Sequence, residues 1–399
     1  MRISTRQAHD SGIDNLAKRQ TELADLQARM TTGKRVERAS DDPAAAARAE
    51  RAMTATERAT IAERATEASR VVMTQVESAL ADASSLLQRA RELAVSAGNA
   101  SYTDAERGAI ANELRDLRVQ LLDVANRDDG GGTWLFGGKG SAEQPFVDAA
   151  GGVVFAGAGG TTTAEAAAGL PLTTDGQRAW LSSRTGNGVF ETGAGAMVKN
   201  ATVSTGNVSD PSALTGDDYD IVFTVSGTTT TYSVLQNGAA TAVTAAPYVS
   251  GQSIAVDGMT FTVAGVPGSG DTFSVRPATP DLSVFGALDR AAAALETKGR
   301  TGAQIAQTNA QSLTAIDAVL ANLQGARASA GQVLGRIDSE VDRLAGRKLA
   351  SQTERSNAED ADMVHTVSDF KNRQTGYDAA LQSYAMVQRL SLFDYVGGR

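Results

Sequence analysis

The residues that could do chemistry are few and far apart in this sequence. The only two histidines are His9 and His365, one in each terminal segment. His365 has acidic neighbours at positions 360, 362 and 369, but a catalytic histidine also needs a nucleophile in a rigid pocket, and a metal site needs convergent ligands. We interpret these carboxylates as the solvated face of a helix. The absence of cysteine excludes disulfides, zinc–thiolate sites and thiol nucleophiles together.

Two other segments resemble ligand sites but lack the spacing that such sites need. Residues 130–140 are rich in glycine, yet a P-loop would require a glycine at Thr133 and a hydroxyl residue at Gly140. The acidic residues 217, 218 and 220 could attract a cation, but the glycine and terminal glutamate of a calcium loop are missing. The sequence therefore predicts no catalytic residue, no cofactor and no metal, and it predicts that the protein is not an enzyme.

Charge and hydropathy restrict the possible partners. The net charge of −9 argues against nucleic acid, because phosphate binding depends on clustered Lys and Arg. No run of 18 apolar residues occurs, so no membrane insertion is predicted. The amino terminus lacks the apolar segment of a cleaved signal peptide, which predicts a cytoplasmic protein or one exported by a route that needs no such signal.

Composition changes near residue 130 and again near residue 281. Residues 130–280 hold 26 of the 40 glycines but only five of the 37 Lys and Arg residues. Short alternating runs rich in Thr and Val are separated there by turn dipeptides, among them Asn237-Gly238 and Asp257-Gly258. This pattern predicts short strands and hairpins, and so a central β domain.

Long helical stripes flank the central region. Apolar residues and alanines follow 4-3 spacing from Val72 to Ala97, and the Gly-Asn pair that follows is predicted to end the helix. Thr103 and Glu106 have the spacing of a capping box, which predicts where the next helix begins. A further stripe predicts a helix over residues 303–345, about 65 Å long at 1.5 Å per residue. Helices of this length are typical of stalks and filaments.

The two ends of the chain share one pattern. Apolar residues at 3-4 spacing run from Ile13 to Met30 and from Met363 to Tyr384, which predicts that the first and last helices pair. Each stripe also carries two glutamines, and the second stripe ends at Gln388. Polar seam residues either set the register of a coiled coil or are tolerated on an exposed helix, and the sequence leaves both interpretations open. The glutamines are Gln20, Gln27, Gln374 and Gln388.

These patterns predict a mainly α protein with an inserted β domain, in which both termini form a long antiparallel helical bundle or coiled coil. Five segments are expected. They are an inner helix over 1–44, the first half of a helical rod over 45–140, the β domain over 141–280, the second half of the rod over 281–355, and a closing helix over 356–399.

Several short motifs in both flanks resemble the flagellins and hook-associated proteins of the bacterial flagellum. Pro43 and the amino-terminal MRIS are more similar to the members that join hook to filament than to flagellins proper, and so is the closing segment. The resemblance covers roughly the first 145 and the last 120 residues, and it is specific in combination. The motifs are MTTGKRVERASDDPA at 30–44, WLFGG at 134–138, QPF at 144–146, EDAD at 359–362, QTGYDAAL at 374–381 and SLFDY at 391–395.

The resemblance implies a secreted structural subunit at the hook–filament junction, an adaptor for flagellin polymerisation and torque transmission. It implies export through the type III apparatus with a dedicated chaperone, and a ring of copies between the other hook-associated junction protein and flagellin. A flagellin is the nearest alternative, and a surface coiled-coil adhesin is a more distant one. The residues expected at subunit interfaces are Ile13, Leu16, Leu23, Met30, Phe370, Tyr377, Leu381 and Tyr384.

Overall fold

The computed structural model describes residues 5–140 and 143–396. Long helices dominate both flanks, as the sequence predicts, and the stripe expected over 303–345 belongs to a helix that continues to Glu359. The helices are α1 Thr5–Thr32, α2 Pro43–Ala97, α3 Asp104–Ala125, α4 Gly176–Trp180, α5 Val284–Glu296, α6 Gly302–Glu359 and α7 Met363–Val396.

The strands all lie between α3 and α5. One antiparallel sheet has the order β10-β9-β8-β14-β5, with β11 also on β9, and a second has β12-β13-β6, with β7 on β13. Two small hairpins, β1-β2 and β3-β4, precede them. The strands are β1 Phe146–Ala149, β2 Gly152–Phe155, β3 Thr163–Ala164, β4 Leu170–Pro171, β5 Phe190–Ala194, β6 Ala201–Val203, β7 Asn207–Val208, β8 Tyr219–Ser226, β9 Thr229–Gln236, β10 Ala239–Ala240, β11 Ala246–Pro247, β12 Ser253–Val256, β13 Met259–Gly265 and β14 Thr272–Pro277.

Local sequence signals explain several element ends. Helix α2 ends at Ala97, and the capping box at the start of α3 is present: Thr103 Oγ1 accepts from Glu106 N, and the Glu106 carboxylate accepts from Thr103 N. Both predicted turn dipeptides join neighbouring strands. Asn237 and Asp257 have φ of +50° and +39°, which a two-residue type I′ turn requires of its first central residue. These predictions are confirmed.

The described parts of residues 1–63 and 341–399 form one compact unit. Its buried side chains are mostly alanines of α2, such as Ala45 and Ala49, together with Leu344 and Ala358 of α6. Small side chains let helix backbones approach closely. An ion pair of 2.7 Å between Glu63 and Lys348 also joins α2 and α6 in this unit.

Residues 64–340 form a second compact unit with two separate apolar cores. The first core fills the space between α2, α3, α5 and α6, and it includes Phe136, Phe146, Trp180 and Phe285. The Trp180 ring stacks on Phe285 at 5.9 Å and meets the edge of Phe136 at 5.4 Å. Phe136 and Phe146, which follow α3, are therefore core residues, whereas Trp134 is only half-buried.

The second core is built mainly from the two larger sheets, and all of its buried members lie between Phe190 and Val275. Phe223 is at its centre, in edge-to-face contact with Phe273 and Tyr248 at 5.6 and 5.1 Å. The first core has no member between Leu181 and Leu282. The stretch 141–280 therefore contributes to two cores, with its first part built into the helical bundle. The five-segment division stays a prediction.

Candidate subunit interface

The first and last helices lie side by side and antiparallel, as predicted. Gly12 of α1 faces Tyr384 of α7 so closely that a Cβ at position 12 would lie 3.2 Å from the ring. A Cβ at Gly376 would similarly lie 3.0 Å from the guanidinium of Arg19. The two glycines thus mark places where this pair of helices makes close contact, at the usual cost of about 0.5–1 kcal/mol for glycine within a helix.

An ion pair between Glu22 and Arg373 agrees with this register. Both side chains are about half exposed, so the ion pair contributes at most about 1 kcal/mol to the stability of the helix pair. The main effect of this ion pair is to fix which residues of α1 and α7 face each other.

The predicted interface residues lie along this pair, but a single chain covers them only in part. No described side chain of α1 from residue 10, or of α7 up to residue 386, is buried. Ile13 is 47% exposed and Leu381 is 40% exposed. Their role in subunit contacts stays a prediction. The half-buried members of the set are Leu16, Leu23, Met30, Phe370, Tyr377 and Tyr384.

The seam glutamines are exposed in the described helices. Gln20, Gln27 and Gln374 all face solvent, whereas Leu26, which the stripe omitted, is half-buried. Within one chain these glutamines are therefore tolerated surface residues. The backbone of Gln388 belongs to α7, and its side chain lies outside the described residues, as do the side chains of the closing motif at 391–395. The amino-terminal residues 1–4 lie outside the described residues as well.

The loops after α1 and after α6 hold each other through backbone hydrogen bonds. Arg35 N and Val36 N both donate to Glu359 O, at 2.7 and 3.2 Å, and Ala361 N donates to Gly33 O at 2.9 Å. We call residues 33–36 with 358–361 the loop clamp.

Side chains strengthen the loop clamp. The guanidinium of Arg35 donates to Ala358 O at 2.9 Å and to Asp42 Oδ2 at 3.2 Å, and the ammonium of Lys34 lies 3.4 Å from the Glu359 carboxylate. Gly33, with φ of +71°, ends α1 in a conformation that favours glycine. The clamp joins the two motifs at 30–44 and 359–362. The sequence did not predict this contact between the two loops. The one feature that could have indicated it is the opposite charge of Lys34 and Glu359.

Helix α2 is capped by Asp42, whose Oδ1 accepts from Ala45 N at 3.0 Å. Asp42 directly precedes Pro43, which is the first residue of the helix and has no N–H of its own to satisfy. Asp41 instead stabilises the preceding turn, because its Oδ2 accepts from Glu37 N and Arg38 N at 3.1 and 2.9 Å.

These hydrogen bonds predict a pH dependence of the loop. The backbone N–H of Arg38 lowers the pKa of Asp41, and the backbone N–H of Ala45 lowers the pKa of Asp42. Because the folded-state pKa values are depressed, the stabilisation is complete above the ordinary carboxyl pKa of about 4 and is lost as pH falls through the lowered values. We expect the amide resonances of Arg38 and Ala45 to stay constant above pH 5 and to shift below pH 4.

Asp42→Asn is the matched control, because the amide oxygen can still cap α2 but does not titrate. In this variant the Ala45 resonance should lose its acid shift while that of Arg38 keeps it. A shift of both resonances near neutral pH would contradict the assignment of the caps.

The residues with possible chemistry are occupied in structural contacts. His365 Nδ1 lies 3.4 Å from the Asp369 carboxylate on an exposed helix face. In the glycine-rich loop, Gly131 N and Thr133 N both donate to Asp129 Oδ1, at 2.7 and 3.0 Å. Gly138 N donates to Thr174 O at 3.1 Å. These amides are therefore not arranged to hold a phosphate.

The acidic residues of the β region also have partners. Asp217 accepts from the amides of Gln236 and Asn237 at 2.7 and 2.9 Å, and Asp220 pairs with Arg276 at 2.6 Å. Over residues 5–140 and 143–396, no group of three or more His, Asp or Glu side chains is placed to hold a metal ion. Within the same ranges no helix is long and apolar enough to cross a bilayer.

Family models match both flanks and part of the centre. Residues 3–141 match the bacterial flagellin N-terminal helical region, and residues 313–396 match the corresponding C-terminal helical region. Residues 196–277, which include most of the second core, match the D2-like domain of flagellar hook-associated protein 1.

Relatives with similar sequences are flagellar proteins. Flagellar hook-associated protein 3 of Salmonella typhimurium is 35% identical over 153 residues, 38% of this chain and 48% of that relative, so this match spans about half of its length. The Escherichia coli protein of the same name is 25% identical over 98% of this chain and 99% of its own. The crystal structure of the flagellar junction protein FlgL from Legionella pneumophila superposes with a TM-score of 0.65 at 26% identity, covering 70% of this chain and 95% of that one.

Flagellin-type helical regions on both sides of a β region define the class of the flagellins and hook-associated proteins. Two comparisons indicate which members of this class the chain belongs with. Its sequence matches almost the whole of the E. coli hook-associated protein 3, and its fold is shared with FlgL. The chain belongs to the FlgL, or hook-associated protein 3, family. The predicted fold class and the predicted family are both confirmed.

Proposed function

We propose that this protein is a non-enzymatic structural subunit that forms the junction between flagellar hook and filament. The observation that carries the proposal is the incomplete burial of α1 and α7, whose described side chains include none that is fully buried and whose stripes leave Ile13 and Leu381 47% and 40% exposed. A surface of this kind suits a subunit that is completed by its neighbours. Family membership supports the same conclusion.

The proposed partners follow from the position of the junction. On the hook side the ring of copies contacts the other hook-associated junction protein, and on the distal side it receives flagellin. The subunit leaves the cell through the type III export apparatus, accompanied by a chaperone until export, and acts outside the cell. The long continuous helices α2 and α6, of 55 and 58 residues, suit the transmission of torque between hook and filament.

Gene deletion tests this function. Cells without the gene should assemble hooks and release flagellin into the medium, and a plasmid copy should restore filaments. If the deleted cells still grew filaments, the junction role would be rejected. If they made no flagellin at all, or if purified protein grew into long filaments by itself, the flagellin alternative would be favoured.

The exposed stripe of α7 supplies a more specific prediction. Tyr377→Ala combined with Leu381→Ala should abolish assembly at the junction and weaken chaperone binding, because an amphipathic helix in a groove depends on its apolar anchors. The melting temperature of the monomer should change little, because Leu381 is 40% exposed and Tyr377 is only half-buried there. A motility assay, a chaperone pull-down and a thermal melt measure the three effects.

Lys371→Ala with Asp378→Ala is the matched control on the same helix. Both side chains are exposed, and the double change leaves the net charge unaltered. Arg373 is unsuitable as a control because it pairs with Glu22. Full motility and chaperone binding of the apolar double variant would show that this stripe is not the shared surface.

A further inference from the structure

A cleft with two arginines lies where the loop between α2 and α3 meets the loop between α5 and α6. It is a partly open cleft of about 440 Å³, which is large enough for a small anion. Arg107 of α3 and Arg300, just before α6, both line it, together with Tyr102, Asp104, Gly299 and Gly302. We call this the arginine cleft. None of its residues takes part in the apolar stripes of α1 and α7.

Arg107 is a buried cation without a direct counter-ion. It is 3% exposed, and its guanidinium donates to Tyr102 O and, at 2.8 Å, to Asn99 O. Its Nε–H is buried and has no acceptor in the described structure. Neutral carbonyl groups compensate a buried charge less well than an anion does, so an anion near this side chain would be stabilised.

Arg300 adds a second positive charge at the same place. Its guanidinium donates to Thr297 O at 3.0 Å and to Thr308 Oγ1 at 2.6 Å, and both of these acceptors are neutral. Burial lowers the pKa of Arg300, and the charge of Arg107 lowers it further. The two cations are therefore close enough to repel each other.

Two nearby carboxylates compensate the arginines only in part: Asp104 attracts Arg300 and Glu106 attracts Arg107, but each also accepts a backbone hydrogen bond. Asp104, the carboxylate that lines the cleft, accepts from Gly299 N at 3.3 Å, and Glu106 accepts from Thr103 N at 2.7 Å in the capping box. No ion pair within 4.0 Å joins a described carboxylate to Arg107 or Arg300. The amino terminus of α6 adds favourable polarity, because Gly302 lines the cleft and the amides of a helix's first turn have no acceptor within the helix.

We propose that the arginine cleft binds an oxyanion of the class shared by phosphate and protein carboxylates. The anion lies between Arg107 and Arg300 at the amino terminus of α6 and relieves the repulsion between the two guanidinium groups. Its source is either free inorganic phosphate or an acidic side chain of another protein molecule.

Titration of the full chain tests the site. Sodium phosphate, and separately sodium acetate as the carboxylate probe, is added at constant ionic strength, while binding heat and the amide resonances of Gly299 and Gly302 are followed. These readouts are preferable to melting temperature, because phosphate stabilises proteins in general by exclusion from their surface. We expect saturable binding that Arg300→Gln weakens by about tenfold or more, since a charge-assisted hydrogen bond is lost.

Arg336→Gln is the matched control, an exposed arginine on the same α6 helix, and it should leave binding unchanged. Saturable binding of phosphate alone identifies a free anion as the ligand, and saturable binding of acetate identifies a carboxylate. If neither probe saturates, or if Arg300→Gln and Arg336→Gln have equal effects, the proposal is wrong. This result is independent of hook–filament joining, which the gene deletion tests.

Discussion

Replacing Trp180 with alanine is expected to lower the free energy of unfolding of the second unit by about 3–5 kcal/mol. Trp180 is fully buried against Phe136, Phe146 and Phe285, so an alanine at this position leaves a cavity. This loss is a large fraction of the 5–15 kcal/mol that stabilises a typical domain. It corresponds to a fall in melting temperature of the order of 10 °C, measurable by calorimetry.

Two variants make this test specific. Trp180→Phe should cost much less, because it keeps a ring in the core and removes an indole N–H that has no hydrogen-bond partner. Phe223→Ala should weaken the second core and leave the first one intact. In native-state amide exchange, Trp180→Ala should reduce protection in α3, whereas Phe223→Ala should reduce it in β8 and β9. Equal loss of protection in both regions after either change would contradict the separation of the two cores.

The sequence predicted the long helices and several turns because their signals are local. The 4-3 spacing extends along α2, the capping box needs only Thr103 and Glu106, and the two type I′ turns need only their own dipeptides. The antiparallel pairing of α1 and α7 also followed from the sequence, because both ends carry the same apolar period. Local chemistry and tertiary structure agree at these positions.

The position of Trp180 could not be predicted from local sequence signals. It lies in the glycine-rich stretch that composition assigns to the β domain, in a helix of five residues capped by Asp175. No periodicity can develop over five residues, so its place in the helical core depends on contacts with Phe136 and Phe285, which are distant in sequence. The loop clamp is a similar case, since Arg35 and Glu359 are more than 300 residues apart and their meeting leaves no pattern in either segment.

Removing the second core alone should leave hook–filament joining intact. The deletion that the structure favours takes out residues 187–277 and joins Gly186 to Ala278 through a short Gly-Ser linker. The cut ends are already held together, because Thr185 N donates to Thr279 O at 3.0 Å and Thr279 N donates to Thr185 Oγ1 at 3.1 Å. With a two-residue Gly-Ser linker, Gly186 and Ala278 complete a four-residue loop between the paired Thr185 and Thr279, a length that hairpins commonly use.

The deletion also removes the hydrogen-bond partners of three glutamines on α6. In the intact protein, Gln307 Oε1 accepts from Val203 N at 2.7 Å. Gln304 and Gln311 donate to Val198 O and Thr192 O at 3.1 and 3.3 Å. After the deletion these side chains face water, which satisfies them. We expect the shortened protein to be exported and to support motility. Its melting temperature should lie within a few degrees of the temperature at which the helical core of the full-length protein unfolds.

A longer deletion of residues 150–278 is the informative counterpart. It ends within one residue of the same position but also removes Leu170, Ala179 and Trp180 from the first core. It should therefore fail to fold cooperatively and should not support filaments, although it removes the same second core. Thermal melts, secretion assays and motility on soft agar compare the two deletions with the parent. If the shorter variant proved stable and secreted but grew no filaments, the second core would take a direct part in joining hook to filament.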